Sequence, residues 1–275
     1  MPGRAPLELG RQTLIMAVIN VTPDSFADGG LRFDPAKAAD DGLRMIADGA
    51  DILDVGGEST RPGAEPLPED EELRRVLPVV DRLAREGSAP VSIDTYKASV
   101  ARRAMDLGAA IVNDVSGLLF DASLAGVAAR SGAALVLMHN RGRSKEMYRE
   151  AVYADVMGEV VAELEAAISR ATAAGVARAA IVVDPGIGFS KRAEHSFEAL
   201  ANLDRLAVLD RPILVGPSRK SYLKLALGDR PADAREWGTA AAVAASVLGG
   251  AHIVRVHGVK EMADVARVAD RIRRC

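Results

Sequence analysis

Eight short apolar runs recur along the chain: TLIMAVIN (13–20), ADILDVGG (50–57), PVSIDT (90–95), AAIVNDV (109–115), AALVLMHN (133–140), AAIVVDPG (179–186), RPILVG (211–216) and AHIVRVHG (251–258). Each holds several Val, Ile or Leu in near-continuous order. Strands of this kind are buried on both faces, as in a parallel sheet covered by helices. Helical stretches separate most of the runs. In FDPAKAADDGLRMIADG, Asp34 suits the N-cap, Pro35 the first helical position and Gly49 the left-handed position past the end. A second helix is expected from Asp94 or Thr95 to Gly108, and a long one over 150–174 with Val160, Val161, Leu164 and Ile168 on its apolar face. The last helix, KEMADVARVADRI, repeats apolar residues at 262, 265, 268 and 272. The segment 238–250 (GTAAAVAASVLGG) is apolar on every side, which suits a buried helix or a subunit contact.

Eight strand–helix units without a linker or a break in the alternation predict an α/β fold, a (β/α)8 TIM barrel forming a single domain over residues 1–275. The competing architecture, a doubly wound open sheet, lacks its glycine fingerprint after the first strand.

The ends of the runs carry the candidate chemistry. They are Asn20; Asp54 followed by Glu58, Thr60 and Arg61; Asp94; Asn113 with Asp114; His139 with Asn140; Asp184; Ser218, Arg219 and Lys220; and Arg255 with His257. In a barrel these ends meet at one face, where active sites lie. Singly, each has a plainer account: Asp94 can cap the helix after it, Asp54 between Leu53 and Val55 can be a satisfied interior carboxylate, and His139 can be structural. Capping does not account for Arg61, Lys220 and Arg255, since cations at such positions suit phosphate or carboxylate. Asp94, Asn113 and Asp184 supply acceptors and amide groups instead. The combination suits a substrate with an anionic part and a neutral heterocycle rich in N–H donors, such as an amino-pyrimidine edge. The loops VTPDSFADGG and GGESTRPGAEPLP are dense in Gly, Pro, Ser and Asp, and Phe26 in the first suggests a lid.

The totals narrow the class. The 275 residues are 49% hydrophobic and 27% charged, with a net charge of −3, so no overall basic field draws nucleic acid and any anion site is local. The first apolar run, LIMAVINV, falls far short of the ~20 residues of a membrane span. The only cysteine, Cys275, has no partner in the chain, which fits a reducing, cytoplasmic setting.

The motifs NVTPDSFADGG (20–30), GGESTRPGA (56–64), SIDTYK (92–97), VNDVSG (112–117), DPGIGFSK (184–191), GPSRKS (216–221) and RVHGV (255–259) resemble, in order, those of the dihydropteroate synthase family. The resemblance implies a barrel that joins 4-aminobenzoate to the pterin of 6-hydroxymethyl-7,8-dihydropterin pyrophosphate, releasing diphosphate and 7,8-dihydropteroate, a folate precursor. It implies Mg²⁺ as cofactor with Asn20 as its ligand, and pterin contacts from Asp94, Asn113, Asp184 and Lys220. Thr60, Arg61, Arg255 and His257 resemble the diphosphate contacts, and Ser218, Phe189 and Pro62 lie near the aminobenzoate. Asp94, Asp184, Lys220 and Asp28 on the first loop are the candidate catalytic residues. Arg219 is expected to point away and set the turn. The family's homodimer through its late helices is the expected assembly; no nucleic acid or membrane partner is expected.

The chain departs from the family pattern at four places. After His139 it reads NRGRSKEMY instead of the common Gly-x-Pro; Ser190 replaces Gly, Pro217 replaces Val and Gly258 replaces Asp. A corrinoid-linked methyltransferase shares a similar barrel, but the SRKS and STRPGA segments argue against it, because that group handles no diphosphate.

Overall fold

The computed structural model describes residues 6–22 and 34–275. The proposed lid residues Phe26 and Asp28 lie outside the described residues. The strands are β1 Leu14–Asn20, β2 Ile52–Gly56, β3 Val91–Asp94, β4 Ile111–Asp114, β5 Ala134–Met138, β6 Ile181–Asp184, β7 Leu214–Val215 and β8 Ile253–Val256. The helices are α1 Pro35–Ala47, α2 Glu69–Glu86, α3 Ala98–Asp106, α4 Ser123–Ser131, α5 Val156–Ala173, α6 Ala193–Ala201, the short α7 Lys224–Leu227, α8 Glu236–Leu248 and α9 Val259–Arg273. All strand pairs are parallel, in the order β6-β5-β4-β3-β2-β1-β8-β7. A parallel bridge between Val183 and Ile213 joins the two ends and closes the barrel.

Side chains alternate between the barrel interior and the helix layer. Leu14, Met16, Ile52, Ile111, Val136, Val182, Leu214 and Ile253 form one apolar cluster that plugs the lower interior. The intervening strand residues, such as Ile15, Leu53, Val91, Leu135 and Val254, pack with the inner faces of the helices in a second cluster. Along the strands, interior positions change from apolar to polar going upward, Ile52 to Asp54, Ile111 to Asn113, Val182 to Asp184 and Ile253 to Arg255, while on β3 the buried hydroxyl of Ser92 is followed by Asp94. The register sets Gly56 beside Asp94, Asp94 beside Asn113, and Met16 beside Arg255. A ring of polar side chains therefore lies directly above the apolar plug.

Helix ends follow local chemistry with exceptions. Asp34 caps α1 by accepting from the N–H groups of Ala36 and Lys37, Pro35 opens it, and Gly49 follows at φ +107°. The second expected helix starts later than expected, at Ala98, and the long one at Val156. In α9 the buried stripe is Val259, Met262, Ala263, Ala266 and Ala269, leaving Val268 and Ile272 exposed. Three alanines thus share the inner stripe with Val259 and Met262. Among the described residues no helix is long and apolar enough to cross a membrane.

Candidate active site

Asp54 is the hub of the polar ring. It is fully buried, and its Oδ2 accepts from Arg255 Nε at 2.6 Å and from Asn113 Nδ2 at 2.9 Å. Asp94 Oδ2 takes the other arm of the same guanidinium, Nη2, at 2.7 Å. The interior-carboxylate account of Asp54 thus holds only in part: it is satisfied, but by two residues of the candidate site. Asp54 Oδ1 is buried and has no hydrogen-bond partner among the described residues. Asp94 does not cap α3. Thr95 Oγ1 accepts from the Lys97 N–H at 3.2 Å and Asp121 Oδ2 from the Ala98 N–H at 2.9 Å, leaving Asp94 to the barrel interior. Burial pushes the Asp94 carboxyl up to about 7, against the pull of Arg255. Burial likewise raises Asp184, whose Oδ1 accepts from the Gly186 N–H at 2.7 Å. Gly186 itself needs to be glycine: its φ is +68°, and a Cβ there would meet the His139 carbonyl oxygen at 2.1 Å. Asp114, beside Asn113 in sequence, takes no part in the ring. It ties its own turn by accepting from Ser116 N, Ser116 Oγ and Leu118 N.

Past β7 the two cations diverge. Lys220 turns inward: Nζ donates to the Ile187 carbonyl at 2.7 Å and lies 4.4 Å from the centre of the Phe189 ring. Burial lowers its ammonium to about 8. Arg219 turns outward, with φ +59°, and its Nε binds Glu236 Oε2 at 2.8 Å. This contact also accounts for Gly258. A Cβ on Gly258 would sit 2.2 Å from Glu236 Oε1, so the space of the family's aspartate is filled here by a carboxylate from α8. Ser218 and His257 form a pair: Ser218 Oγ lies 2.9 Å from His257 Nδ1 and accepts from the His257 N–H at 3.3 Å. Burial, helped by Arg255, drives His257 down to about 3, so it serves as a neutral hydrogen-bonding group rather than a cation.

The loop after β2 presents half-buried Thr60 and exposed Arg61 and Pro62 at the rim. Lys97 anchors that loop: its Nζ binds Glu58 Oε2 at 2.6 Å, the Leu67 carbonyl at 2.7 Å and buried Glu72 Oε2 at 2.5 Å. Tyr96 adds a hydrogen bond from its hydroxyl to Glu58 Oε1 at 2.9 Å. Arg61 lies close enough to contribute to the depression of His257. Asn20 ends β1 at the same rim.

Sequence reading missed a buried cluster behind the ring. Lys191 is 1% exposed, and its Nζ binds His139 Nδ1 at 2.7 Å and the Phe189 carbonyl at 3.3 Å. Burial brings it down to about 7. Glu163 Oε2 lies 3.1 Å from His139 Nε2 on the far side. Ser190, next to it, adopts φ +45°, which is why glycine is favoured there. The serine is held by its own bonds: Oγ donates to Asn140 Oδ1 at 2.7 Å and accepts from the Arg141 N–H at 3.1 Å, and its carbonyl accepts from the Tyr153 hydroxyl at 2.7 Å. The GFSK order in the sequence was the available signal, but it names no partner for the lysine.

At the mouth the acids and amide (Asp54, Asp94, Asn113, Asp184) enclose the Arg255 guanidinium, which Asp54 and Asp94 grip, while Lys220 lies over the Phe189 ring and Arg61 is exposed on the β2 loop. Residues 16–257 match the family model described as pterin binding enzyme. The chain is 42% identical over 268 residues to the dihydropteroate synthase of Synechocystis sp., covering 98% of this chain and 93% of that protein. It is 47% identical over 260 residues to that of Mycobacterium leprae, covering 92% and 91%. The crystal structure of dihydropteroate synthase from Clostridium difficile in the presence of pteroic acid superposes with a TM-score of 0.91 at 42% identity, covering 97% of this chain and 99% of that one. On the family match, the shared barrel and identity over nearly its full length, this chain belongs to the dihydropteroate synthase family of pterin-binding enzymes.

Proposed function

We infer that this chain is a transferase of folate biosynthesis that condenses 4-aminobenzoate with (7,8-dihydropterin-6-yl)methyl diphosphate, giving 7,8-dihydropteroate and diphosphate. The observation that carries this reading, within a chain of this family, is the polar ring at the mouth: buried carboxylates, one with an unpartnered oxygen (Asp54 Oδ1), and the Arg255 guanidinium held between Asp54 and Asp94. A 2-amino-pyrimidine edge donates adjacent N–H groups, and such a ring satisfies acceptors that the protein leaves open. Asp94, Asn113 and Asp184 hold the ring, and Lys220 faces its carbonyl. Arg61, Arg255, Thr60 and neutral His257 hold the diphosphate. Phe189, Ser218 and Pro62 border the aminobenzoate.

In the reaction the bond from the pterin CH₂ to the diphosphate oxygen breaks, and its electron pair leaves with diphosphate. The lone pair of the arylamine forms the new C–N bond, and that nitrogen then releases one proton. Asp94 and Asp184 favour the positive charge that spreads into the pterin as the C–O bond breaks, and Arg61 and Arg255 take up the charge of the leaving group. Asp28 on the first loop belongs to the same proposal. No side chain acts as a covalent nucleophile.

Asn20 offers one neutral amide oxygen at the rim, and among the described residues no group of three or more His, Cys, Asp or Glu forms a metal cage. That donor set fits Mg²⁺, which keeps several waters and is held by few protein ligands together with substrate phosphates. Bound there, Mg²⁺ supplies charge neutralisation to the departing diphosphate.

The proposed homodimer forms through the outer faces of α8 and α9, where Trp237, Leu248, Val268 and Ile272 are exposed. Sedimentation at micromolar concentration tests it, and a monomer refutes it. A cytoplasmic location, with Cys275 as a lone exposed thiol, is part of the same reading. The activity is tested by incubating the protein with the pterin diphosphate, 4-aminobenzoate and Mg²⁺. Diphosphate release that requires the aminobenzoate is expected, and no release with either substrate order overturns the reading.

A further inference from the structure

The β2 loop runs from the end of β2 to the start of α2 and carries Thr60 and Arg61. One ammonium closes it at both ends. Lys97 Nζ donates to Glu58 Oε2 at 2.6 Å where the loop begins, and to the Leu67 carbonyl at 2.7 Å where it ends. Its third bond, 2.5 Å to Glu72 Oε2, fastens both ends to the first turn of α2. An ammonium carries three donors, and the protein occupies all three. The lysine stands on fixed backbone. It is the N-cap residue of α3, and its N–H donates to Thr95 Oγ1 at 3.2 Å. The Tyr96 hydroxyl holds the Glu58 carboxylate through its other oxygen, Oε1, at 2.9 Å.

Burial decides which contacts of the loop matter. The Lys97, Glu58 and Glu72 side chains are 16%, 12% and 1% exposed, so water screens their attraction little, and removing one partner leaves the others unpaired. The loop has two further tethers: the Gly63 N–H donates to the Ser144 carbonyl at 2.8 Å, and Glu65 pairs with Lys145. Both side chains of that pair are exposed, and such a pair contributes little. Arg61 is itself exposed, and its carbonyl accepts from the Ala64 N–H at 3.0 Å in a turn at the loop's outer part. The position of that turn follows from where the loop's ends are held. A segment with fixed ends loses less freedom when its middle is ordered on a ligand.

We propose that Lys97 is a positioning residue, holding the β2 loop so that Thr60 and Arg61 meet the diphosphate end of the pterin substrate. The inference rests on the functional reading above. With its three donors taken, Lys97 has none left for a phosphate, so it acts through the loop and not by contact. Asp94, Asn113 and Asp184, which hold the ring, make none of these bonds, so the pterin end of the substrate is unaffected.

The test titrates wild type, Lys97→Met and Glu58→Ala calorimetrically with (7,8-dihydropterin-6-yl)methyl diphosphate and with the same ring bearing a hydroxymethyl group and no diphosphate. Glu58→Ala frees the start of the loop but leaves Lys97 paired with Glu72, so it decides the matter even if Lys97→Met does not fold. In both variants the diphosphate is expected to bind about tenfold more weakly, as when roughly one further residue must be fixed on binding. The hydroxymethyl compound should bind as it does to wild type. With Thr60 and Arg61 both replaced by alanine, adding Glu58→Ala should weaken the diphosphate by no more than about twofold, because the contacts it positions are already gone. Equal weakening of the two compounds overturns the inference in favour of a general structural role. A full loss that persists without Thr60 and Arg61, or an unchanged diphosphate affinity in Glu58→Ala, overturns it as well. Turnover of the pterin diphosphate by wild type keeps a failure here separate from a failure of the functional reading.

Discussion

Replacing Asp54 tests the architecture of the site most directly. In Asp54→Ala, Arg255 loses the acceptor of its Nε and Asn113 loses that of its Nδ2, at a position with no solvent exposure. Breaking one partner out of a buried ion pair costs about 3–5 kcal/mol, because the remaining charge stays desolvated. Here Asp94 still holds the other arm of the guanidinium at 2.7 Å, so the low end, about 3 kcal/mol, applies. Asp54→Asn keeps the shape and an acceptor for Asn113. It loses only the charge assistance of one hydrogen bond, about 1.5–2 kcal/mol. Urea unfolding followed by circular dichroism reads both values, and the spacing between the two variants matters as much as either one. Arg255 should also relax away from the ring, raising the KM for the pterin diphosphate well over tenfold in Asp54→Ala. An Asp54→Ala protein within about 0.5 kcal/mol of wild type, the size of an ordinary surface change, would show that Arg255 is not held through Asp54.

Asp184→Ala and Lys220→Ala should each weaken pterin binding by more than tenfold in calorimetric titration, while Arg255→Ala weakens diphosphate binding and spares the aminobenzoate; near-normal pterin affinity in either of the first two would remove those assignments. Ser190→Ala keeps the left-handed backbone but strips the hydroxyl that serves Asn140 and Arg141, and should cost about 1–2 kcal/mol in urea unfolding, whereas Ser190→Gly should cost less because it relaxes φ. Lys191 has a folded value of about 7 against an ordinary 10.5, lowered chiefly by burial and by Lys220 and Arg141, with Asp184 and Glu163 pulling the other way. Between those values the unfolded chain binds the extra proton. The stability of wild type minus that of Lys191→Met should therefore rise from pH 7 toward 10.5 and be flat below 7, and a difference that falls over that range contradicts a lysine whose proton burial weakens.

Much of the fold was legible because parallel strands buried on two faces have a local signature, and all eight runs became strands. The polar ends were legible for the same reason: Asp54, Asp94, Asn113, Asp184 and Arg255 each break an apolar run. Helix boundaries were less so. Asp94 looked like a cap because a cap is the commonest use of an Asp before a helix, and nothing local shows that Thr95 and Asp121 already fill that role. On α9 the apolar repeat at 262, 265, 268 and 272 marks the inner face only in part: Met262 is buried, but Val268 and Ile272 are exposed and Ala263, Ala266 and Ala269 pack inward instead. The loss of a carboxylate at Gly258 looked like a gap, and Glu236 occupies that space from another helix.

Taken alone, the order of residues determined which segments extend, which coil, and which carry an acid, amide or base at their tips. Those outcomes depend on propensities and periodicities acting over a few neighbours. Which tips grip one another was decided only by the closed barrel. Arg255 meets Asp54 and Asp94 across 201 and 161 residues of chain, and Lys191 meets His139 across 52. Such partners are set by strand register and by the closure between β6 and β7, and no local preference encodes either. The pKa of a side chain follows the same division: its ordinary value belongs to the residue, while the burial that moves Lys220 to about 8 and His257 to about 3 exists only once the strands have assembled around it.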